Sequence, residues 1–251
     1  YRPGAKVVLF EGGGDSDFDV RMTTTLFPEF ARSVNAISVG SRANVEKIHE
    51  LLERAAAAGA MATSFYSITD QDTESSNQAT ASQHWDRYHI ENYLLEPSFI
   101  LQTLNNLNVT TPKVETHEGI EKELKICAKE TLDGLISHEM RSFVNRSMVS
   151  TIRSEIPRDT ESISVALENA IKRSHDRMIS IVNTDLALPN LQERESKIRA
   201  RFEADLKNSN WKTSFKGRNI LRRFIGKHST VTKYEVFRDL VLSRMRDQGK
   251  T

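Results

Sequence analysis

Four acidic residues fall where a parallel sheet would gather its ligands. Glu11 directly follows the apolar run Lys6–Phe10 (KVVLF), and Asp15 stands four residues later, across Gly12, Gly13 and Gly14. Asp70 and Asp72 follow another such run, Thr63–Ile68 (TSFYSI), after Thr69. In open parallel sheets, ligands bind in the crevice at the carboxyl ends of the strands. If the chain stays extended past Ile68, Asp70 and Asp72 point to the same side, and both carboxylates can face one metal ion. Hard divalent cations such as Mg²⁺ take oxygen ligands and keep several waters. A pair of such ions can activate water, hold a phosphate and stabilise a leaving oxygen. The glycines would let backbone and phosphate approach closely. A lone D-x-D, or a lone glycine turn with acidic neighbours, is common in loops that do no chemistry. The expectation is carried by their joint order on a strand-helix-strand-helix-strand pattern.

The elements that must position these residues are legible as hydrophobic periodicity. Lys6–Phe10 reads as a buried strand ended by a flexible turn, and residues 15–30 read as a helix opened by an acidic or serine cap. Val34–Val39 (VNAISV) is a second strand, ended by Gly40-Ser41. Arg42–Ala58 is a helix with Ile48, Leu51, Leu52 and Ala55 on one face, and Thr63–Ile68 is a third strand. Such alternation is the pattern of a parallel α/β sheet. Residues 73–83 (TESSNQATASQ) read as an exposed loop, and residues 87–95 (RYHIENYLL) as a fourth short strand running into a helix. From Pro97 the pattern is helical almost to the end, with breaks near 108–112, 157–159, 189 and 208–210. The expected organisation is an α/β domain over 1–110 and a mainly helical extension over 111–251.

Composition narrows the classes. The 251 residues are 38% hydrophobic and 27% charged, as in a folded soluble chain. No apolar run approaches the length of a membrane span, which predicts no membrane association. No signal peptide is visible, and the start at Tyr1 predicts a piece of a longer protein or missing leading residues. With Cys127 as the sole cysteine there is no internal disulfide and no cysteine-based zinc site, which suits a cytoplasmic location. Charge is uneven: residues 190–251 hold 16 Lys and Arg against 7 Asp and Glu, leaving 19 against 27 in the rest. An acidic front suits cations and a basic tail suits a polyanion. Basic helices that merely solvate a surface would give the same balance.

The acidic residues resemble the TOPRIM domain shared by type II and type IA topoisomerases, bacterial primases and OLD-family nucleases. Its signature is a Glu-Gly ending the first strand, here Glu11-Gly12, and an Asp-x-Asp ending the third, here Asp70-Gln71-Asp72. VVLFEGGGDSDFD is similar to the OLD-type version, with Asp15 as the acid four places after the glutamate. ISVGSRANV (37–45) looks like that branch's glycine-centred second motif. HIENYLL (89–95) looks like a further motif of TOPRIM proteins linked to ABC-type ATPases in anti-phage defence. The resemblance covers about residues 5–95, and the triple glycine departs from a pattern in which one place is often polar. It implies a TOPRIM-like sheet, Mg²⁺ or Mn²⁺ as a pair of ions, and hydrolysis of phosphodiester bonds in DNA or RNA. Glu11 would be a metal ligand or general base, Asp70 and Asp72 metal ligands, Asp15 part of a second metal position, and Glu91 a ligand or its neighbour. It also implies an ABC-type ATPase partner, in the same chain or as a separate subunit, because no G-x-x-x-x-G-K-[ST] loop occurs here.

Other candidates have two readings each. Lys216 and Arg218 could supply positive charge to the leaving group if the basic segment folds back over the sheet. Trp211 and Phe215 could stack on bases, or join Ile220, Leu221 and Phe224 in a packed patch. His89 could orient a phosphate or be a packed, hydrogen-bonded histidine; Glu91 could equally be a surface charge. Ser41, Arg42 and Asn44 could meet phosphate at a helix N-terminus, with Ser41 otherwise a plain cap. The long helices over 114–183 could form a homodimer surface. Two rival functions remain: a non-catalytic TOPRIM-like module that docks on an ATPase, and a phosphotransfer receiver domain. D-x-D and the long helical tail fit the receiver poorly, and no tyrosine stands in a context that would suit a topoisomerase.

Overall fold

The computed structural model describes residues 2, 4–12, 17–60, 63–71, 82–153, 162–231 and 233–249. In chain order the elements are β1 (Lys6–Phe10), α1 (Phe18–Leu26), α2 (Pro28–Ser33), β2 (Val34–Ser38), α3 (Arg42–Ala57), β3 (Phe65–Thr69) and β4 (Ser82–His84). A short 3-10 helix, Ile90–Leu94, precedes α4 (Pro97–Asn106), α5 (His117–Thr151), α6 (Ile163–Asn183) and α7 (Leu188–Lys207). The chain closes with α8 (Trp211–Ser214), α9 (Gly217–His228) and α10 (Tyr234–Gln248). Among the described residues no helix is long and apolar enough to cross a membrane.

The sheet is parallel throughout, in the order β2-β1-β3-β4. Alternate residues of β1 serve opposite faces. Val7 and Leu9 pack with Phe65 against α3, where Val45, Ile48, Leu52 and Ala56 present the apolar stripe. On the other face Phe10 meets Phe30 edge-on and stacks on Trp85. Covering both faces is the usual condition of a parallel sheet. Two local features differ from the sequence expectation. Pro28 opens α2 and splits the single helix expected over 15–30, because proline restricts the residue before it. The fourth strand is Ser82–His84 rather than part of 87–95, where the apolar run IENYL folds as a 3-10 helix.

Two compact units emerge: residues 1–128 with 210–251, and residues 129–209. The sequence boundary was expected near 110, but the last helices belong with the sheet. α9 packs on the 3-10 helix, and α10 packs on α4 and α1. Trp211, Phe215, Phe224 and Phe237 are fully buried there. Two contacts tie these helices to the start of α5: an ion pair of Lys212 with Glu121 at 2.5 Å, and a hydrogen bond between buried His228 and Glu123 at 3.0 Å. The other unit holds most of α5 with α6 and α7. Its α5 and α7 are joined by Arg199–Asp133 (2.9 Å) and Arg201–Glu139 (2.5 Å), and Arg194 lies over the Phe143 ring.

Candidate acidic site at the carboxyl edge of the sheet

The carboxyl ends of β1 and β2 are laced together beyond the strands. Gly12 and Gly40 exchange backbone hydrogen bonds of 2.8 and 2.6 Å, both in the left-handed region (φ +105° and +99°). A side chain at Gly40 would press on Asn44. This pairing sets the direction of Glu11. Its Oε1 accepts the Asp70 backbone N–H at 3.1 Å, joining the ends of β1 and β3. Asp70 leaves a strand whose residues Ser67 and Thr69 are buried, and its side chain keeps 14% of its surface exposed. One carboxylate oxygen, Oδ2, is hydrogen-bonded by His89 Nδ1; the other, Oδ1, is buried with no partner among the described residues. Arg42, the first residue of α3, donates weakly to the Asp70 carbonyl at 3.5 Å and pairs with Glu46 at 3.0 Å.

Asp19 joins this group from the first turn of α1. Burial, then the charges of Asp70, Glu91 and Glu11, push its carboxyl up to about 8, against a smaller opposing influence of His89. Burial first, and then the charges of Asp70, Glu91 and Glu11, are why Asp19 holds its proton.

The fold brings the basic segment to the same neighbourhood through Asn92. This side chain is fully buried. Its Nδ2 donates to the carbonyls of Lys212 (2.8 Å) and Phe215 (2.6 Å), and its Oδ1 accepts the Gly217 N–H at 2.9 Å. Gly217 has no room for a side chain: a Cβ would stand 2.7–2.8 Å from Asn92 atoms, backbone included. Tyr88 N–H adds a bond to the Thr213 carbonyl at 2.7 Å. Lys216 Nζ consequently lies 5.5 Å from the centre of the Tyr88 ring, which packs edge-on against His89 at 4.6 Å. Arg218 lies over Tyr234 instead, at 5.7 Å.

Of the sequence candidates, Glu11, Asp70 and His89 are joined by hydrogen bonds, the Glu91 charge bears on Asp19, and Lys216 lies over Tyr88. Asp15 and Asp72 lie outside the described residues. Trp211 and Phe215 are core residues, closed to bases. Ser41 occupies the N-cap place of α3 without a side-chain capping bond. Asp19 and Asn92 were not anticipated. The helix was expected to open at Asp15, but it begins at Phe18, which puts Asp19 in the first turn, where unpaired N–H groups favour a carboxylate. That spacing was the available signal.

The donors suit a hard divalent cation. They are carboxylate oxygens, one of them buried without a partner among the described residues, and a cation would oppose the negative charges that help to protonate Asp19. Among the described residues no group of three or more His, Cys, Asp or Glu is placed to hold an ion unaided. Compared with protein-family models and with curated protein sequences, the chain matches none, and its reading rests on its own residues.

Proposed function

We propose that this chain is a divalent-metal-dependent nuclease with a TOPRIM-like centre, hydrolysing phosphodiester bonds of DNA or RNA. The observation that carries the reading is the joining of Glu11 to Asp70 at the carboxyl edge of a parallel sheet, with a free-standing Asp70 Oδ1 among the described residues. Glu11 and Asp70 would hold Mg²⁺ or Mn²⁺, with Asp15 and Asp72 as the further ligands that the motif implies. Such an ion, when bound, supplies Lewis acidity to the phosphate and a more acidic water. The chain's own residues do the rest. His89 fixes the Asp70 carboxylate through Oδ2 and leaves Oδ1 to a ligand. The Asp70 N–H fixes Glu11. Lys216, over the Tyr88 ring, would offer a positive charge to the leaving oxygen. An ABC-type ATPase partner and a role in anti-phage defence belong to the same proposal and rest on the motif resemblance.

The test is cleavage of plasmid and of transfer RNA by the full chain with Mg²⁺, with Mn²⁺ and with chelator. Glu11→Gln and Asp70→Asn are expected to lower the rate at least ~100-fold while the fold survives. Metal-independent cleavage, or equal cleavage by both variants, overturns the reading. A second reading, a non-catalytic docking module, is favoured by one observation: Ile163, Leu167, Ile171 and Val182 lie exposed along one face of α6. Cation binding without cleavage of either substrate would select it.

A further inference from the structure

We propose that Arg218, Arg222, Arg238 and Tyr234 form a second anion subsite, which holds a non-scissile phosphate of the nucleic-acid strand beside the acidic cluster. The inference rests on the nuclease reading for the identity of its ligand, and on separate residues for its geometry.

Tyr234 is the first residue of α10 and is 6% exposed. Three guanidinium groups surround its ring: Arg222 at 5.0 Å from the centroid, and Arg218 and Arg238 at 5.7 Å each. Like charges gathered round one ring repel unless an anion lies among them. Two of the three have a partial counter-charge. Arg222 reaches Glu235 at 3.4 Å, an exposed pair, and Arg238 reaches Asp239 at 3.1 Å. Asp239 also receives both terminal nitrogens of Arg21 at 2.9 Å, so its charge is divided. Arg218 has no ion-pair partner among the described residues.

Two donors around this ring are left over. The Tyr234 hydroxyl is buried with no hydrogen-bond partner among the described residues, and so is Arg218 Nε. Buried donors are nearly always satisfied, and a guanidinium seldom stays half-buried without an anion. What the Tyr234 hydroxyl and Arg218 Nε lack is an acceptor, and one with several oxygens could serve both. Phosphate is such an acceptor, and the arginine fork matches it. A route in exists: a cleft of about 570 Å³ between α9 and α10 reaches Tyr234, with Arg222, Lys233, Ser229 and Thr230 on its walls.

Glu91 places the subsite relative to the acidic cluster. Its charge bears on Asp19 on one side, and on the other it adds to burial in raising the Tyr234 phenol. The 3-10 helix that carries Glu91 packs on both α9 and α10, the helices that carry the arginines. A strand with one phosphate at the acidic cluster would bring a neighbouring phosphate to the arginines. Such a subsite selects a chain of phosphates over a mononucleotide.

The test is binding of a fluorescein-labelled single-stranded oligonucleotide to the full chain in chelator, so that no cleavage intervenes. Inorganic phosphate serves as competitor. Arg218→Gln and Arg222→Gln are expected to weaken binding about tenfold each and to lower the salt slope by about one. Tyr234→Phe, which keeps the ring, is expected to weaken it about threefold. Lys172→Gln, on α6, is expected to bind like the parent. Phosphate should displace the strand from the parent and not from Arg218→Gln. Equal affinity of the parent, Arg218→Gln and Tyr234→Phe overturns the subsite. Phosphate binding lost in Arg218→Gln with no oligonucleotide binding overturns the strand as ligand. If Arg218→Gln loses its fold, Tyr234→Phe decides alone. Binding lost in these variants but kept in Asp70→Asn upholds the subsite even if cleavage is never seen; cleavage that ignores them upholds the nuclease reading alone.

Discussion

In the unit that carries the sheet, Trp211, Phe10, Phe215, Phe224 and Phe237 are fully buried. In the unit of residues 129–209, Ile163 (65%), Ile171 (68%) and Leu188 (68%) stand in solvent. Polar groups follow the opposite rule. The first unit buries Asn92, Arg238, and the pair Glu123 and His228. The second keeps its charges in exposed pairs such as Lys172 with Glu168 (2.7 Å), of a kind that contributes little. Burying polar groups is costly unless each has a partner. Where a fold accepts this cost for charged side chains, positions must be held tightly. The orphan atoms relevant to chemistry, Asp70 Oδ1, Arg218 Nε and the Tyr234 hydroxyl, all fall in that unit. Orphan buried polar atoms gather in the first unit, and the second offers apolar surface.

The contrast is most exposed to failure at Gly217. Alanine there would drive its Cβ into the backbone N and Cα of Asn92 at 2.8 Å. The clash cannot be relieved by one flexible side chain, and it would break the joint that carries Lys216 and Arg218. A loss of about 3–5 kcal/mol is expected, with cleavage falling together with stability. Chemical denaturation of the full chain measures it. A cost below about 1 kcal/mol would mean that the joint is loose and that the basic segment is not held at the sheet.

That joint explains much of what sequence could and could not disclose. The first three strands were legible because buried parallel strands are short apolar runs, and α3 because its apolar stripe has helical spacing. β4 was not, since Ser82-Gln83-His84 has no apolar residue and is recognised only by pairing with β3. The IENYL segment has the composition of a strand, yet packing on α9 makes it a 3-10 helix. Glu11 and Asp70 were legible from their places after strands. Asn92 was not, because its partners lie more than a hundred residues away, at 212, 215 and 217. Asp19 depended on where α1 begins, and helix starts are poorly fixed by sequence when Asp15, Asp17 and Asp19 are all plausible openings.

Asp19 sharpens the comparison through pH. Its carboxyl is raised from 3.8 to about 8, chiefly by burial and then by Asp70, Glu91 and Glu11. The folded state thus binds a proton that the unfolded chain releases at ordinary acidity. Its contribution is fully present below 3.8 and is lost as pH rises through about 8. In chelator, stability should fall over that window. Asp19→Asn should flatten the fall and gain about 1–3 kcal/mol at the alkaline end. Added Mg²⁺ should recover part of the loss in the parent and less in the variant. Denaturation midpoints that are flat with pH in both proteins would show that Asp19 does not hold its proton.

The smallest effect is expected in the second unit, and its smallness is the point. Ile171 lies on the exposed face of α6 with two-thirds of its surface in water. Removing a side chain that buries little costs little, and alanine is the better helix former. Ile171→Ala should therefore change stability by no more than about 0.5 kcal/mol in the isolated chain. The same change at Ile100, fully buried in α4, would leave a cavity. Measuring Ile171→Ala at low and high protein concentration separates two causes of a larger loss. A cost that grows with concentration means that a second copy covers this face. A cost that does not means that α6 is packed within its own unit, and the division of labour between the two units would then fail.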